Sequence, residues 1–492
     1  MKYIDSCLRK MLAAAVLFAV TGCISLDEDI DAQPTSDKFF DETEDYYNFL
    51  MSGYTSMIQL YGSDELYCLG AGAEDIYVPI DRWKGFEYAD INSVGNPDEL
   101  TNNPWNLSYK TIGICNTMLQ IVRDSDLSPT ELAPIVGEAK FLRALAYFNM
   151  TRWFKEVPLI TEDNMTEAAT HPDTPVADIY AQIVSDLTAA EGSLPDGRGG
   201  EDFFRPTSWA AKALLSKVYL TMAGYPLNRT EYYALARDKA WEVISPEKFD
   251  LEPVYFDLWL WDNRKTNKEF IFTFFADWRR GDQTYVNCAI RPWEGGEGGW
   301  GDWSGDKRFL EEFPEGDGSR VKGTFYLTLI DGTPWYQTAD NQPFVGKLRD
   351  AGENSGGYAG PWNYPNGNAD GFFSVIRFSE VLLIYAEAAN LAEGKPSTEA
   401  YEAVNRVRRR AGLGDLEGLN QVAFDKAVLD ERKWELTFEN HRWFDICRRR
   451  LLPEVIGRYY PERQVDDHNY WMPKPHDQFG IMTGIKQNEG YL

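Results

Sequence analysis

Histidine is scarce in this 492-residue chain: four residues, His171, His441, His468 and His476, none in an H-E-x-x-H arrangement. That spacing sets two imidazoles on one helix face around a zinc ion, so its absence argues against a common catalytic metal geometry. Cysteine is sparse too. The six residues include no C-x-x-C pair, which points to neither a disulfide framework nor a zinc site. Cys68, Cys115, Cys288 and Cys447 are expected to be buried free thiols. Basic residues are in deficit, 49 against 77 acidic, for a formal net charge of −28. Nucleic-acid binding needs clustered Lys and Arg to neutralise phosphates, so that class is excluded. The chain contains no G-x-S-x-G nucleophile elbow and no G-x-x-x-x-G-K-[ST] phosphate loop. No cofactor is implied. A structural calcium ion is compatible with the acidity, although no EF-hand loop is present.

The N-terminus carries a positive start (Lys2, Arg9, Lys10) and then a short apolar run from Met11 to Val20. That run is too short to cross a hydrocarbon core of roughly 30 Å as a helix, so it reads as the apolar region of a secretory signal. It ends in Val20-Thr21-Gly22-Cys23, which resembles a bacterial lipobox. In such a sequence the peptide is cut before the cysteine, which becomes lipidated, and several acyl chains together anchor a protein stably. Residues 1–22 are thus expected to be a signal peptide, with Cys23 the lipidation site and 23–36 an acidic tether containing Asp27, Glu28, Asp29 and Asp31. Anionic lipid repels such a tether. Acidic residues just after the cysteine resemble a signal for export to the outer cell surface.

Aromatic residues are abundant, with 16 Trp and 27 Tyr. Cores absorb Phe readily, but this much Trp and Tyr leaves rings with a face at the surface, where sugar C–H faces can stack. Helical periodicity dominates both ends of the chain. Phe378, Val381, Leu382, Tyr385, Ala386 and Ala389 predict a one-faced amphipathic helix. Residues 137–154 are apolar around much of their circumference, residues 209–222 form another helix, and 425–447 predict a further long one. Small residues interleaved with large ones suit helix–turn–helix pairs that bury their faces on neighbours. The expected fold is mainly α, a tetratricopeptide-like scaffold over 37–250 and 371–492. Between them, 251–370 is loop-rich with few short strands, such as Phe270–Phe274. The run Glu294-Gly295-Gly296-Glu297-Gly298-Gly299 cannot form a regular element, because glycine loses too much backbone entropy there.

Several segments, in order, resemble the SusD-like (RagB/SusD) family of outer-membrane lipoproteins. Glu138-Ala139 with Phe141-Leu142-Arg143-Ala144, Tyr147-Phe148 and Val157-Pro158-Leu159 looks like one helix of that family and its exit. Trp105, Tyr109 and Asn116 resemble its W…Y…N helix. Arg377, Glu380-Val381-Leu382-Leu383 and Tyr385-Ala386-Glu387-Ala388 match a third segment, and Asn405, Val407-Arg408 and Arg410-Ala411-Gly412-Leu413 a fourth. Glu431-Arg432, Glu435-Leu436, Phe438-Glu439, His441-Arg442-Trp443 and Asp445 follow, with Asn440 where the pattern has glycine. Pro473, Pro475 and Gln487-Asn488-Glu489-Gly490-Tyr491 resemble the family's closing motif, with Glu489 in place of proline. The resemblance covers residues 37–492 as one domain. It implies a glycan-binding protein without catalytic activity, tethered to the outer membrane facing outward. The implied partner is a SusC-like TonB-dependent transporter, to which oligosaccharide or polysaccharide is delivered. A peptide-binding relative and a surface glycosidase are the alternatives.

The aromatic loops are the candidate ligand site. One carries Asp81, Arg82, Trp83, Phe86 and Tyr88, followed by Asn92 and Asn96; the other runs from Trp293 through Trp300 to Trp303. A weaker third holds Tyr358, Trp362 and Tyr364. Rings supply apolar contact while neighbouring Asp, Arg and Asn hydrogen-bond vicinal hydroxyls, a combination suited to a neutral polyol. His441 and Asp445 invite a catalytic pairing. Glu431, Arg432, Glu435 and Glu439 lie at helical spacing beside them, however, so a structural ion-pair network is expected. A glycosidase needs two carboxylates roughly 5–10 Å apart, which 77 acidic residues would supply by chance.

Overall fold

The computed structural model of the chain describes residues 40–70, 72–79, 98–282, 284–349 and 370–491. Six long helices fill the first half: α1 (Thr43–Tyr61), α2 (Asp98–Ile121), α3 (Pro129–Phe154), α4 (Val176–Ser193), α5 (Ser208–Ala223) and α6 (Tyr232–Ile244). Three more long ones follow in the second, α7 (Phe378–Glu393), α8 (Thr398–Ala411) and α9 (Gln421–Glu435), and then the short α10 (Arg442–Arg448). Their starts are written in the sequence. Ser128 caps α3 and forms a reciprocal capping box with Glu131, with Pro129 at the first helical position, where its missing N–H costs nothing. Thr207, Ser397 and Asn420 cap α5, α8 and α9 through their side-chain oxygens.

Each helix packs on the next, and α7 also packs on α9. The stack thus runs unbroken from α1 to α9, and α6 meets α7 directly although more than a hundred residues separate them. This is the tetratricopeptide-like arrangement, in which each helical pair buries its face only against neighbours. The intervening chain adds β1 (Phe270–Ala276), which pairs antiparallel with β2 (Gly371–Arg377), the strand leading into α7. Both strands are nearly continuous buried apolar runs, as expected where both faces are covered.

Two helical expectations are corrected. The helix from Phe378 is not one-faced: every residue from Phe378 to Asn390 is buried. Its polar positions face inward to partners, so polarity did not mark a solvent face. The segment 425–447 is not one helix either. It breaks between α9 and α10, where Phe438 and Asn440 take positive φ of 61° and 59°. Asparagine tolerates that left-handed conformation better than most residues, which explains why Asn440 can stand where the family pattern has glycine.

The polar residues of these motifs form two interior clusters. Arg377 is fully buried and reaches Glu269 at 2.6 Å, Glu435 at 2.5 Å and Glu439 at 2.8 Å. Arg410 joins Glu269 and Glu435, and Arg320 contacts Glu431 at 2.6 Å. Asp445 is held by Arg432 and Arg448, each at 2.8 Å, and these guanidiniums keep its carboxyl well below the usual range despite burial. The His441 ring is engaged elsewhere, with Nδ1 3.1 Å from the Lys217 ammonium and 3.4 Å from the Glu380 carboxylate. Burial, with Lys217 and Arg432 nearby, drives its pKa well down, so the ring is neutral at pH 7. Cys115, Cys288 and Cys447 are free and buried. Burial pushes the thiols of Cys115 and Cys288 up to about 12.

Candidate functional site

The glycine-rich run from Pro292 folds back on itself as a short hairpin. Trp300 N donates to Cys288 O at 2.9 Å, Gly301 N to Arg291 O at 2.8 Å, and Asp302 N to Ala289 O at 2.8 Å. Gly299 N donates to Pro292 O at 3.1 Å. Glycine is required at two points. A Cβ on Gly299 would sit 2.1 Å from Arg291 O, and one on Gly295, where φ is +64°, would sit 2.3 Å from Leu329 Cδ1.

At the tip, Gly296 and Gly298 both take positive φ, at 79° and 74°, and between them Glu297 turns inward until it is fully buried. Its carboxylate lies between two buried guanidiniums, in contact with Arg349 and 3.5 Å from Arg291. It also accepts from Ile330 N at 3.1 Å. Arg349 in turn lies over the Tyr326 ring, 3.6 Å from its centroid. One inward carboxylate thus pins the tip to two other segments, and Glu294 adds a fourth tie by accepting from Ala339 N at 3.1 Å.

With the carboxylate inward, two rings project outward. Trp293 is 71% exposed and Trp300 49%. The Trp293 ring edge lies over Gly301, its Cδ1 3.7 Å from where a Cβ would stand. Trp300 stacks against Tyr285 with centroids 5.8 Å apart and planes 27° from parallel. Tyr336, 59% exposed, adds a further ring on the segment that Glu294 ties down. Beneath the hairpin, Val286 N donates to Gly62 O at 2.9 Å. Burial, with the Glu65 and Asp302 carboxylates close by, pushes Asp64 well above the usual acid range.

Trp303 is a correction. It is 1% exposed, stacked on Tyr67 with centroids 5.0 Å apart and 14° between planes, with Phe438 edge-on at 6.2 Å. It plugs the core behind the hairpin and cannot meet a ligand. Trp83, Asp81, Arg82, Asn92 and Asn96 lie outside the described residues, as do Tyr358, Trp362, Tyr364 and Cys23. Trp105, Tyr109 and Asn116 are structural: Tyr109 Oη donates to Pro158 O at 2.8 Å, and Asn116 to Ile160 O at 3.0 Å. Sequence reasoning passed over Tyr285, Tyr336 and the Arg291–Glu297–Arg349 triad. The one available signal was a glutamate flanked by glycines, Gly296 and Gly298, where an exposed acid would not demand such turns. Among the described residues, no three His, Cys, Asp or Glu side chains converge as metal ligands. None of the described helices is long and apolar enough to cross a membrane.

The structure thus combines a helical-pair scaffold with a pinned loop that leaves the Trp293 and Trp300 rings exposed. Comparison with known proteins places it more narrowly. Residues 331–491 match the SusD family model, and residues 26–220 match a SusD-like model described as starch-binding and associating with the outer membrane. The chain belongs to the SusD-like family. SusD-like protein P2 of Formosa agariphila is 26% identical over 98% of this chain and 99% of its own length. A SusD homologue from Bacteroides thetaiotaomicron shares the fold at a TM-score of 0.79 and 20% identity, covering 94% of this chain and all of its own. A laminarin-binding SusD-like protein superposes at a TM-score of 0.74 with 25% identity, covering 92% of this chain and 100% of its own.

Proposed function

We propose that this protein is a cell-surface glycan-binding lipoprotein that captures oligosaccharide or polysaccharide on the Trp293–Trp300 face. In this reading, it delivers the ligand to a SusC-like TonB-dependent transporter in the outer membrane. The observation that carries the reading is the paired exposure of Trp293 and Trp300 on a hairpin fixed by a buried carboxylate. Exposed rings this large are uncommon unless they meet a partner, and holding them rigidly lowers the ordering cost of stacking. The laminarin-binding relative and the family description support a saccharide ligand. The Cys23 anchor would hold the face outward on its acidic tether.

No catalytic step is assigned. The His441 and Asp445 pair is occupied in the interior by Lys217 and two arginines, so neither group is free to move a proton on a ligand. Calorimetry against a panel of glycans that includes laminarin tests the reading. Trp293→Ala and Trp300→Ala should each weaken binding about tenfold, the loss expected when one half-covered ring is removed. Reducing-end release should stay at background. Affinity unchanged in both variants would refute the platform.

A further inference from the structure

A cavity of about 400 Å³ lies between three segments: α2, the chain from Ile160 to Ala169, and the chain from Gln478 to Met482. That size falls within the range of about 300–1,000 Å³ found for small-ligand clefts. It shares no lining residue with the hairpin. Hydrogen bonds between the segments frame it. Asn116 Nδ2 donates to Ile160 O at 3.0 Å, Gln478 Nε2 to Asn106 Oδ1 at 3.1 Å, and Thr483 N to Ala169 O at 2.8 Å.

Charged residues make up 26% of the chain, yet none of the described residues lining this cavity carries a charge. Apolar groups from all three segments take their place, Ile112, Met165, Ile481 and Met482 among them. Ile481 is 63% exposed, so apolar surface continues to the mouth. Methionine is unbranched and adaptable, which suits contact with a flexible chain.

Two features of α2 point to an occupant. Gly113 lines the cavity from the interior of this 24-residue helix, where glycine costs stability relative to alanine. No neighbour demands it, since a Cβ there would meet nothing within 4 Å. What the missing side chain preserves is open cavity. Trp105 is 1% exposed and forms part of the wall, and its buried indole N–H has no acceptor among the described residues. That orphan donor is a cost unless a ligand supplies the acceptor.

The other polar wall groups face the protein. Tyr109 Oη donates to Pro158 O at 2.8 Å, and the Asn116 amide oxygen accepts from Arg143 at 2.7 Å. With the Asn106 and Asn116 amide oxygens already engaged, a sugar or a peptide would bring more donors than this wall can receive. A carboxylate would be buried there without a cation. An ester brings acceptors alone. We propose that this cavity binds an uncharged acyl chain, laid along the isoleucine and methionine walls with its ester carbonyl accepting from Trp105 Nε1. The lipid read for Cys23 and a separate membrane lipid both offer that chemistry.

Methionine-methyl NMR on the full-length Cys23→Ala protein tests this. Methyl octanoate should shift the Met165 and Met482 signals and move the Trp105 indole N–H downfield, as on gaining an acceptor. Octanoate, N-acetylleucinamide and laminaritetraose should shift them less than about a tenth as far. Gly113→Leu fills the cavity from α2 without a clash, so it should abolish the ligand-induced shifts while holding or raising the melting temperature. Two samples on phosphatidylcholine nanodiscs separate the sources. Met165 and Met482 signals displaced only in the lipidated chain identify the Cys23 lipid; displacement in the Cys23→Ala chain as well identifies a separate lipid. Displacement in neither overturns the proposal, as do signals that methyl octanoate leaves in place, that octanoate or the sugar moves as far, or that Gly113→Leu does not silence. None of these outcomes bears on glycan binding at the Trp293–Trp300 face.

Discussion

Buried arginine–carboxylate clusters occur in two regions of this molecule and serve opposite ends. Around Arg377 the cluster joins β2, α8 and α9 to the chain before β1, through Glu269, Arg410 and Glu435. Every charge there points inward and ties helices distant in sequence. Around Glu297 the same chemistry pins one loop tip, and the consequence lies on the outer side: Trp293 and Trp300 are left exposed. The scaffold uses ion pairs to close surfaces, and the hairpin uses one to open a surface. Desolvation makes each pair weak evidence for net stability, so what both supply is definition of geometry.

The contrast can be broken at its strongest point first. Arg377→Met should cost about 3–5 kcal/mol, because it leaves the Glu269, Glu435 and Glu439 carboxylates buried with one cation fewer; a urea denaturation midpoint measures it, and a loss under 1 kcal/mol would deny the network its role. Next come two tryptophans three residues apart. Trp303→Ala should destabilise the fold by about 3–5 kcal/mol through a core cavity, while Trp300→Ala should stay within about 0.5 kcal/mol and lose ligand instead. Thermal melts beside calorimetry separate them, and equal stability losses would erase the distinction between plug and platform. A smaller effect is expected for Glu297→Gln, which removes the anion from between two guanidiniums at about 1–3 kcal/mol. It should weaken glycan binding with both rings intact and dull the near-ultraviolet circular dichroism of the loosened tryptophans. The smallest is Asn440→Gly, expected to raise stability by about 0.5 kcal/mol, since φ there is already 59° and glycine adopts it freely; a measurable loss would show that the Asn440 side chain contributes more than tolerance of the turn.

The scaffold was legible to the extent that apolar spacing and caps determine helices. The run 137–154 announces most of α3, although its start at Pro129, behind the Ser128–Glu131 cap, went unread, and the strand at Phe270 was apparent from its β-branched and aromatic run. What stayed hidden has physical reasons. Glu380 and Glu387 look like a solvent face of α7, since periodicity cannot tell a carboxylate facing water from one facing a buried arginine. The break after α9 contains neither glycine nor proline, so positive φ at Phe438 and Asn440 left no trace in composition. In the hairpin, Trp300 and Trp303 carry no periodic signal, because loop side chains are directed by specific hydrogen bonds and not by a helical or strand repeat. That is why three tryptophans predicted alike divide into two exposed rings and one core plug.

The buried thiols bear on durability. With the Cys115 and Cys288 thiols pushed up to about 12, both stay protonated at pH 7 and carry almost none of the reactive thiolate. Exchange and oxidation both begin from that anion. At these two positions the folded chain is therefore chemically quiet even in an oxidising medium. Among the described side chains three cysteines are unpaired and buried, and none of the three has to find a partner for the protein to mature.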